Sequence, residues 1–321
     1  MSGPELPAAL RGALEAKLHG VARDDIAARA AQISRTYRDG GNSRAIATPT
    51  DALAYALVRM PATYAAVAAS LDALLEARPG FAPQNLLDVG AGPGTASWAA
   101  AEAFSSLQDF ALLDINAALQ SLALEFSRAH PRLSAMTCRR DAHALYEAEP
   151  ADLVIASYLI GEVGDAERHA LIERLWAKTR DTLLVVEPGT PAGYARIIAL
   201  RAQLIAAGAH VAAPCPHDGQ CPLSPPDWCH FAQRLPRLRA HIQAKSAELP
   251  FEDEKFSYVV LTRAPADQRF ARVLAEPVVG KVEVAAKLCT AGGLQIAKLP
   301  RRDKAAYAKA RRWRWGDAVL D

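Results

Sequence analysis

The ten residues LLDVGAGPGT, 86 to 95, constrain the fold of this chain more than any others. An apolar strand runs into three glycines, and a helix opens directly behind them. Gly90, Gly92 and Gly94 let the backbone turn tightly and approach a ligand, while the helix start leaves unpaired amides at the same place, the arrangement that receives a nucleotide-like cofactor. Around this turn, short apolar runs alternate with helical stretches. NLLDVG is followed by a helix from Ala96, DFALLDIN by a helix from Ala117, and then come LSAMTCRRD, ADLVIASYL, a helix across 166 to 178, and DTLLVVEPG. Strands separated by helices make a parallel, doubly wound sheet, so the fold class is α/β. A further helix, 192 to 207, and a late strand, FSYVVLTR at 256 to 263, complete it.

The organisation expected is therefore a helical region at 1–80, a Rossmann-like domain at 81–265 with a cysteine loop inserted at 213–230, and a small β appendage with a basic tail at 266–321. The first region is alanine-rich and helical in period, with breaks expected at Gly40-Gly41 and Pro61. Thr48 or Thr50, beside Pro49 and ahead of Asp51, supplies a helix cap. Tyr37, Arg38, Arg59, Met60 and Tyr64 read as packing and surface residues.

Asp114 ends the second strand about 20 residues past the turn, where a carboxylate accepts both hydroxyls of a ribose. Dinucleotide enzymes share that layout. Asp88, the GAGPG form and Asp114 together resemble the first two motifs of class I S-adenosylmethionine-dependent methyltransferases. That resemblance implies a cofactor set of Asp88, Gly90, Ala91, Gly92, Gly94 and Asp114. It adds Asp141, in RRDAH, at the position that holds the adenine amine, and Ser157 at the end of the fourth strand beside the pocket. No catalytic residue is identified. The strand reads IASYLIGEV, without the Asn or Asp, two prolines and aromatic that grip a target nitrogen in amino methylases. Glu162 and Tyr158 are candidates to act there instead, and a helix-capping Glu and a packed Tyr are the preferred readings.

The N-terminus lacks the basic start and apolar run of a secretory signal, and no stretch of about 18 uncharged apolar residues occurs, so a cytoplasmic location away from membranes is expected. Disulfides are disfavoured there, and a cysteine cluster reads as ligating or catalytic. Cys215, Cys221 and Cys229 lie in one proline-rich stretch, CPHDGQCPLSPPDWC, and Cys289 follows in the appendage. Zinc fingers bring ligands in pairs two to four residues apart. These wider spacings suit a four-thiolate iron–sulfur cube of the 4Fe-4S type. Zinc held by the four sulfurs, or with His217 or His230 replacing one, is the alternative. Cys138 reads as a small core residue.

Charge is segregated. Residues 230 to 316 carry 18 Lys and Arg against 8 Asp and Glu, and the remainder 19 against 27. In the tail RRDKAAYAKARRWRWGD, Arg301, Arg302, Arg311, Arg312, Trp313 and Arg314 set cations beside stacking aromatics, which points to RNA.

YRDGG, AYALVRMPATYAA, LLDVGAGPGTASWAA, CPHDGQCPL, DWCHFAQR, FEDEKFSYVVLTR and RRWRWGD together resemble a family spanning nearly the whole chain: methyltransferase-like proteins associated with the small ribosomal subunit in mitochondria, with relatives in bacteria. The resemblance implies a four-cysteine iron–sulfur site at Cys215, Cys221, Cys229 and Cys289, and a role in assembling or maturing the small subunit through its RNA, with methylation of that RNA as one activity. A non-catalytic RNA-binding assembly factor with a structural metal site is the alternative. A monomer that does not bind DNA is expected. An iron–sulfur oxidoreductase would need a flavin or nicotinamide site, and none is found in the sequence.

Overall fold

The computed structural model describes residues 4–38, 41–139, 144–245 and 248–319. It begins with three helices, α1 (Ala8–Leu18), α2 (Arg23–Arg38) and α3 (Pro49–Ala77). Thr48 caps α3: its hydroxyl accepts from the Asp51 amide, the Asp51 carboxylate accepts from the Thr48 amide, and Pro49 takes the first helical position, where a missing N–H costs nothing. The break expected at Pro61 does not occur, and α3 runs through it to Ala77. An interior proline costs a helix about 3 kcal/mol, but Leu57, Val58, Met60 and Tyr64 on neighbouring turns are all buried. Burying one large apolar side chain contributes roughly 1.5–3 kcal/mol, so packing outweighs the lost hydrogen bond.

The central sheet follows in β1 (Asn85–Val89), α4 (Thr95–Ala103), β2 (Asp109–Leu113), α5 (Ala117–Ser127), β3 (Thr137–Arg139), α6 (Ala144–Glu147), β4 (Ala151–Ser157), α7 (Asp165–Ala177), β5 (Thr179–Pro188), α8 (Pro191–Ala206), β6 (His210–Ala213), β7 (Phe231–Pro236), α9 (Arg239–Lys245) and β8 (Phe251–Thr262). Strand order is β3-β2-β1-β4-β5-β8-β6. The first five strands are parallel, and β8 runs antiparallel to β5 and β6. This is a Rossmann-like doubly wound sheet. The twelve-residue β8 serves three partners, β5 along Phe256 to Thr262, β7 along Phe251 to Phe256 and β6 along Val260 to Thr262. β6 and β7, which the sequence reading omitted, are the two banks of the cysteine loop.

Alternation along the strands divides the core in two. Leu86, Leu112, Leu153, Ile155 and Leu184 face α3, α4 and α5, while Leu87, Val89, Val154, Leu183 and Val185 face α7 and α8. α3 therefore belongs to the same core as the sheet. By length and composition it could cross a membrane, but 72% of its most apolar window is buried inside the fold.

The C-terminal part is a second, antiparallel sheet of five strands: β9 (Ala271–Val273), β10 (Val278–Val279), β11 (Glu283–Thr290), β12 (Gly293–Pro300) and β13 (Ala318–Val319), with α10 (Lys304–Ala310) between the last two. β11 and β12 form a hairpin whose turn needs the left-handed Gly293, at φ +110°. Cys289 on β11 pairs across to Arg272 on β9.

Candidate functional site

The strand order reverses between β1 and β4, and ligands of such sheets bind at the C-terminal ends of the strands there. A cavity of about 700 Å³ opens at that point. Gly90, Gly92, Asp114 and Ser157, four residues of the expected cofactor set, line it. Gly90 is left-handed, at φ +70°, and a Cβ there would sit 2.7 Å from Leu159. Gly92, at φ +54°, would meet nothing within 4 Å, so a side chain there would point into open space where a ligand can lie against the backbone. The Asp114 carboxylate accepts from the Gly92 amide through one oxygen and from the Asn116 amide through the other, both at 2.7 Å. Burial raises its carboxyl from the ordinary value, and those two amides work against the rise. Each oxygen keeps a second lone pair for a ligand hydroxyl.

Asp88, Ala91 and Gly94 stand behind this surface rather than on it. Asp88 is fully buried; its Oδ2 accepts from the Ser97 amide at 3.1 Å and hydroxyl at 2.8 Å, tying β1 to the first turn of α4. Its Oδ1 has no hydrogen-bond partner, and burial pushes the carboxyl up to about 7. Asp88 thus braces the turn from behind. Gly94 is the left-handed residue that caps α4. Asp141 lies outside the described residues.

Sequence reasoning missed much of the outer wall. Tyr37, Asn42, Ser43 and Arg44, in and after α2, line the cavity together with Tyr55. Glu162 holds this segment: it accepts from the Tyr37 hydroxyl at 3.1 Å and from the Ser43 amide and hydroxyl at 3.2 and 2.8 Å. Asn116 fastens it from the other side, donating to the carbonyls of Ser43 and Ile46. At the end of β4, Tyr158 has φ +56° and, among the described residues, is the one non-glycine in the left-handed region. Such a residue costs on the order of 1–3 kcal/mol and persists where its surroundings demand it. Its hydroxyl donates to Glu254 at 2.7 Å, and Arg59 pairs with the same carboxylate at 3.2 Å. Tyr37 is therefore a site-wall residue, Arg59 supports the wall residue Tyr158 through Glu254, and Met60 and Tyr64 are core.

A second cavity lies at the other end of the sheet. Cys215, Cys221, Cys229 and Cys289 all line it, with Tyr194 and Arg201 from α8 and Arg272 from β9. The loop and the appendage thus bring distant thiols to one place. No three His, Cys, Asp or Glu side chains among the described residues are disposed to hold a metal ion. Burial raises the Cys215 and Cys229 thiols, and the other three cysteines of the set add to the rise at Cys229. The Tyr194 hydroxyl lies 3.2 Å from the Cys221 sulfur. Neither histidine considered as a fourth ligand lines this cavity. His230 instead stacks on Trp228, with ring centroids 4.8 Å apart, and meets Trp315 edge-on at 4.7 Å.

Arg301, Arg302, Arg311, Arg312 and Arg314 are exposed, forming a basic surface around α10. The aromatics between them are anchors. Trp313 packs on the core of the small sheet, Trp315 reaches the main core, and the Tyr307 hydroxyl donates to the Gly280 carbonyl.

The model of a protein family described as mitochondrial small ribosomal subunit Rsm22 matches residues 49–320. The chain is 29% identical over 290 residues to the human mitochondrial ribosome assembly protein METTL17, covering 83% of this chain and 62% of that protein. It is 24% identical over 327 residues to Rsm22-cox11 tandem protein 2, mitochondrial, of Schizosaccharomyces pombe, covering 84% of this chain and 43% of that one. It therefore spans less than two thirds of the length of these relatives. Among solved structures it is similar to the magnesium protoporphyrin IX methyltransferase of Synechocystis with bound S-adenosylmethionine, at 12% identity and a TM-score of 0.42 over 73% of this chain and 91% of that one. A likeness that distant carries no assignment. The expected cytoplasmic location does not stand, because the curated relatives are mitochondrial by name. That expectation weighed a secretory start and an apolar span, a test blind to import into an organelle.

Proposed function

Because the chain belongs to the Rsm22 family of the mitochondrial small ribosomal subunit, we propose that it acts in assembly of that subunit, in contact with its RNA, and binds S-adenosylmethionine at the switch point of its sheet. One observation carries the cofactor reading: within a chain of this family, the glycine turn and Asp114 open onto a cavity of about 700 Å³, within the range that encloses a small-molecule ligand. S-adenosylmethionine supplies an electrophilic methyl group when bound. Methyl transfer then rests mainly on positioning a nucleophile in line with that group. Asp114 orients the ribose through its remaining lone pairs, Gly92 leaves the backbone open to close approach, and the 42–46 segment held by Glu162 and Asn116 shields the site from water. Ribosomal RNA of the small subunit is the proposed methyl acceptor, and the exposed arginines around α10 are the proposed RNA surface.

A second reading, an assembly factor that binds cofactor without transferring methyl groups, is favoured by a specific observation. Tyr158 and Glu162, the polar side chains that follow β4, are both engaged in hydrogen bonds within the protein. Calorimetry with S-adenosylmethionine, followed by labelled methyl transfer to small-subunit RNA, separates the two readings. Transfer that is lost in Asp114→Asn supports the methyltransferase. Binding without transfer supports the second reading, and absence of binding removes the cofactor from both.

The cysteine cavity is proposed as the seat of an iron–sulfur cluster of the 4Fe-4S type, with Cys215, Cys221, Cys229 and Cys289 as ligands. The residues fit such a group in their donor chemistry, four thiols on one cavity, and in a buried cation beside them: the Nε of Arg201 has no hydrogen-bond partner. Bound there, it would crosslink the cysteine loop and the small sheet. Iron, sulfide and zinc analysis of protein purified without oxygen tests this. About four irons and four sulfides per chain support the cluster, and one zinc without sulfide leaves a plain structural metal.

A further inference from the structure

Arg201 is nearly fully buried, at 4% exposure, on the face of α8 that meets the four cysteines. One of its terminal nitrogens donates to the His217 carbonyl at 2.7 Å, and its Nε, also buried, has no hydrogen-bond partner. Among the described residues no carboxylate pairs with it. Across the cavity Arg272, 3% exposed, is differently placed: it donates to the Gly316 carbonyl at 2.9 Å and pairs with Glu76 at 3.4 Å. The cavity wall thus holds two guanidinium groups, and Glu76, outside that wall, answers only Arg272, so among the described residues the buried charge of Arg201 has no carboxylate partner. An isolated buried cation is costly, and arginine cannot shed its proton to escape the cost. Proteins accept this arrangement where an anion completes it.

Resting on the cluster reading above, we infer that Arg201 is a positioning residue for that centre, donating through Nε to its sulfur and supplying the charge that offsets it. A cube of four irons and four sulfides bound by four thiolates carries about two net negative charges, one more after reduction, and net charge and hydrogen bonds to sulfur are what set its potential. A guanidinium fixed at the wall stabilises the more negative, reduced form. It also holds Cys215 in place from the helix side, since the loop carrying that cysteine receives the Arg201 bond at His217.

The test uses the full chain purified without oxygen. Iron and sulfide are counted, the midpoint potential is measured by spectroscopic redox titration, and iron loss to a chelator is timed, for the parent, Arg201→Gln and Arg201→Lys. Arg201→Gln is expected to keep its iron and sulfide, to titrate at a more negative potential and to lose iron several-fold faster. Arg201→Lys, which keeps the charge but not the planar donor, is expected to recover part of the potential and little of the retention. If the parent holds iron and sulfide while the potential and chelator rate of Arg201→Gln match it, the inference falls and the cluster stands. If Arg201→Gln does not fold, Arg201→Lys decides alone, and parental behaviour in both measurements overturns the inference. A parent without iron or sulfide overturns the cluster reading and the inference with it.

Discussion

The switch-point cavity and the cysteine cavity are built on opposite principles. At the switch point, the functional groups are satisfied before any ligand arrives: Asp114 takes two backbone amides, Glu162 takes Tyr37 and Ser43, and Tyr158 donates to Glu254. At the cysteine cavity the pairing is incomplete: Tyr194 meets the Cys221 sulfur and Arg201 the His217 carbonyl, yet a buried donor is left over. Four thiols face two buried guanidinium groups, and the Nε of Arg201 has no partner. A site of the first kind stands by itself and binds its ligand as an addition. A site of the second kind depends on what it binds, because each buried polar group left without a partner costs about 1–3 kcal/mol.

Removing one ligand from the dependent site breaks that comparison most sharply. Cys229→Ser should strip the iron and lower the melting temperature by about 10 °C or more, at roughly 2–4 °C per kcal/mol for a chain of this size. Metal analysis and thermal denaturation of the same sample check it. A variant that keeps its metal and melts with the parent would remove that thiol from the ligand set and make the two cavities alike.

The next effect concerns the support behind the self-sufficient site. The Asp88 carboxyl lies at about 7 in the folded protein against an ordinary 3.8. Folding therefore favours its neutral form: the contribution to stability is complete below about pH 4, falls as the pH rises toward 7, and is flat above. Asp88→Asn should remove this slope, on the order of 1–4 kcal/mol between those limits. Urea midpoints of parent and variant across the range measure it, and parallel profiles would mean that the carboxyl does not titrate with folding.

Asp114→Asn should weaken S-adenosylmethionine about tenfold, the difference of roughly 1.4 kcal/mol between a charged and a neutral acceptor, while leaving the melting temperature within a degree or two of the parent. Affinity unchanged in calorimetry would take the ribose contact away from Asp114. The smallest effect is at the surface. Changing Arg311, Arg312 and Arg314 to Ala should leave folding untouched and reduce the salt slope of RNA binding by about 0.7 for each arginine–phosphate pair removed, seen in titrations at several ionic strengths. An unaltered slope would place RNA elsewhere on the molecule.

What was legible in the sequence follows the same division. The glycine turn and the three cysteines of the 213–230 loop stand out because each carries its constraint within a short stretch, Asp114 stands at a fixed spacing from the turn, and the sheet reads from its alternating runs. The wall made by Tyr37 and Ser43 does not, because its partner Glu162 lies about 120 positions away in sequence and each residue alone has an ordinary packing reading. Asp88 is visible as an acidic position of the turn, yet its spacing does not say that the side chain faces α4 rather than the ligand. Pro61 signals a break that burial overrides. Trp313 and Trp315 look like stacking platforms among arginines, but Trp313 packs on the core of the small sheet and Trp315 on the main core. β6 and β7 are short, and their pairing depends on β8, which comes later in the chain.

That last feature bears on how the chain is made. β8, the strand between β5 and β6, is translated after both of them, and Cys289 follows some 27 residues later. On a translating ribosome, β5 therefore waits with an open edge through the synthesis of α8, β6 and the whole cysteine loop, an interval in which unpaired strand is exposed to wrong partners. Only when residues 251–262 emerge can the sheet close, and only after Cys289 can the fourth thiol arrive. Closure of the sheet and completion of the cysteine set are thus consecutive late steps of synthesis. A chain interrupted between them would hold a finished sheet and an unfinished thiol set.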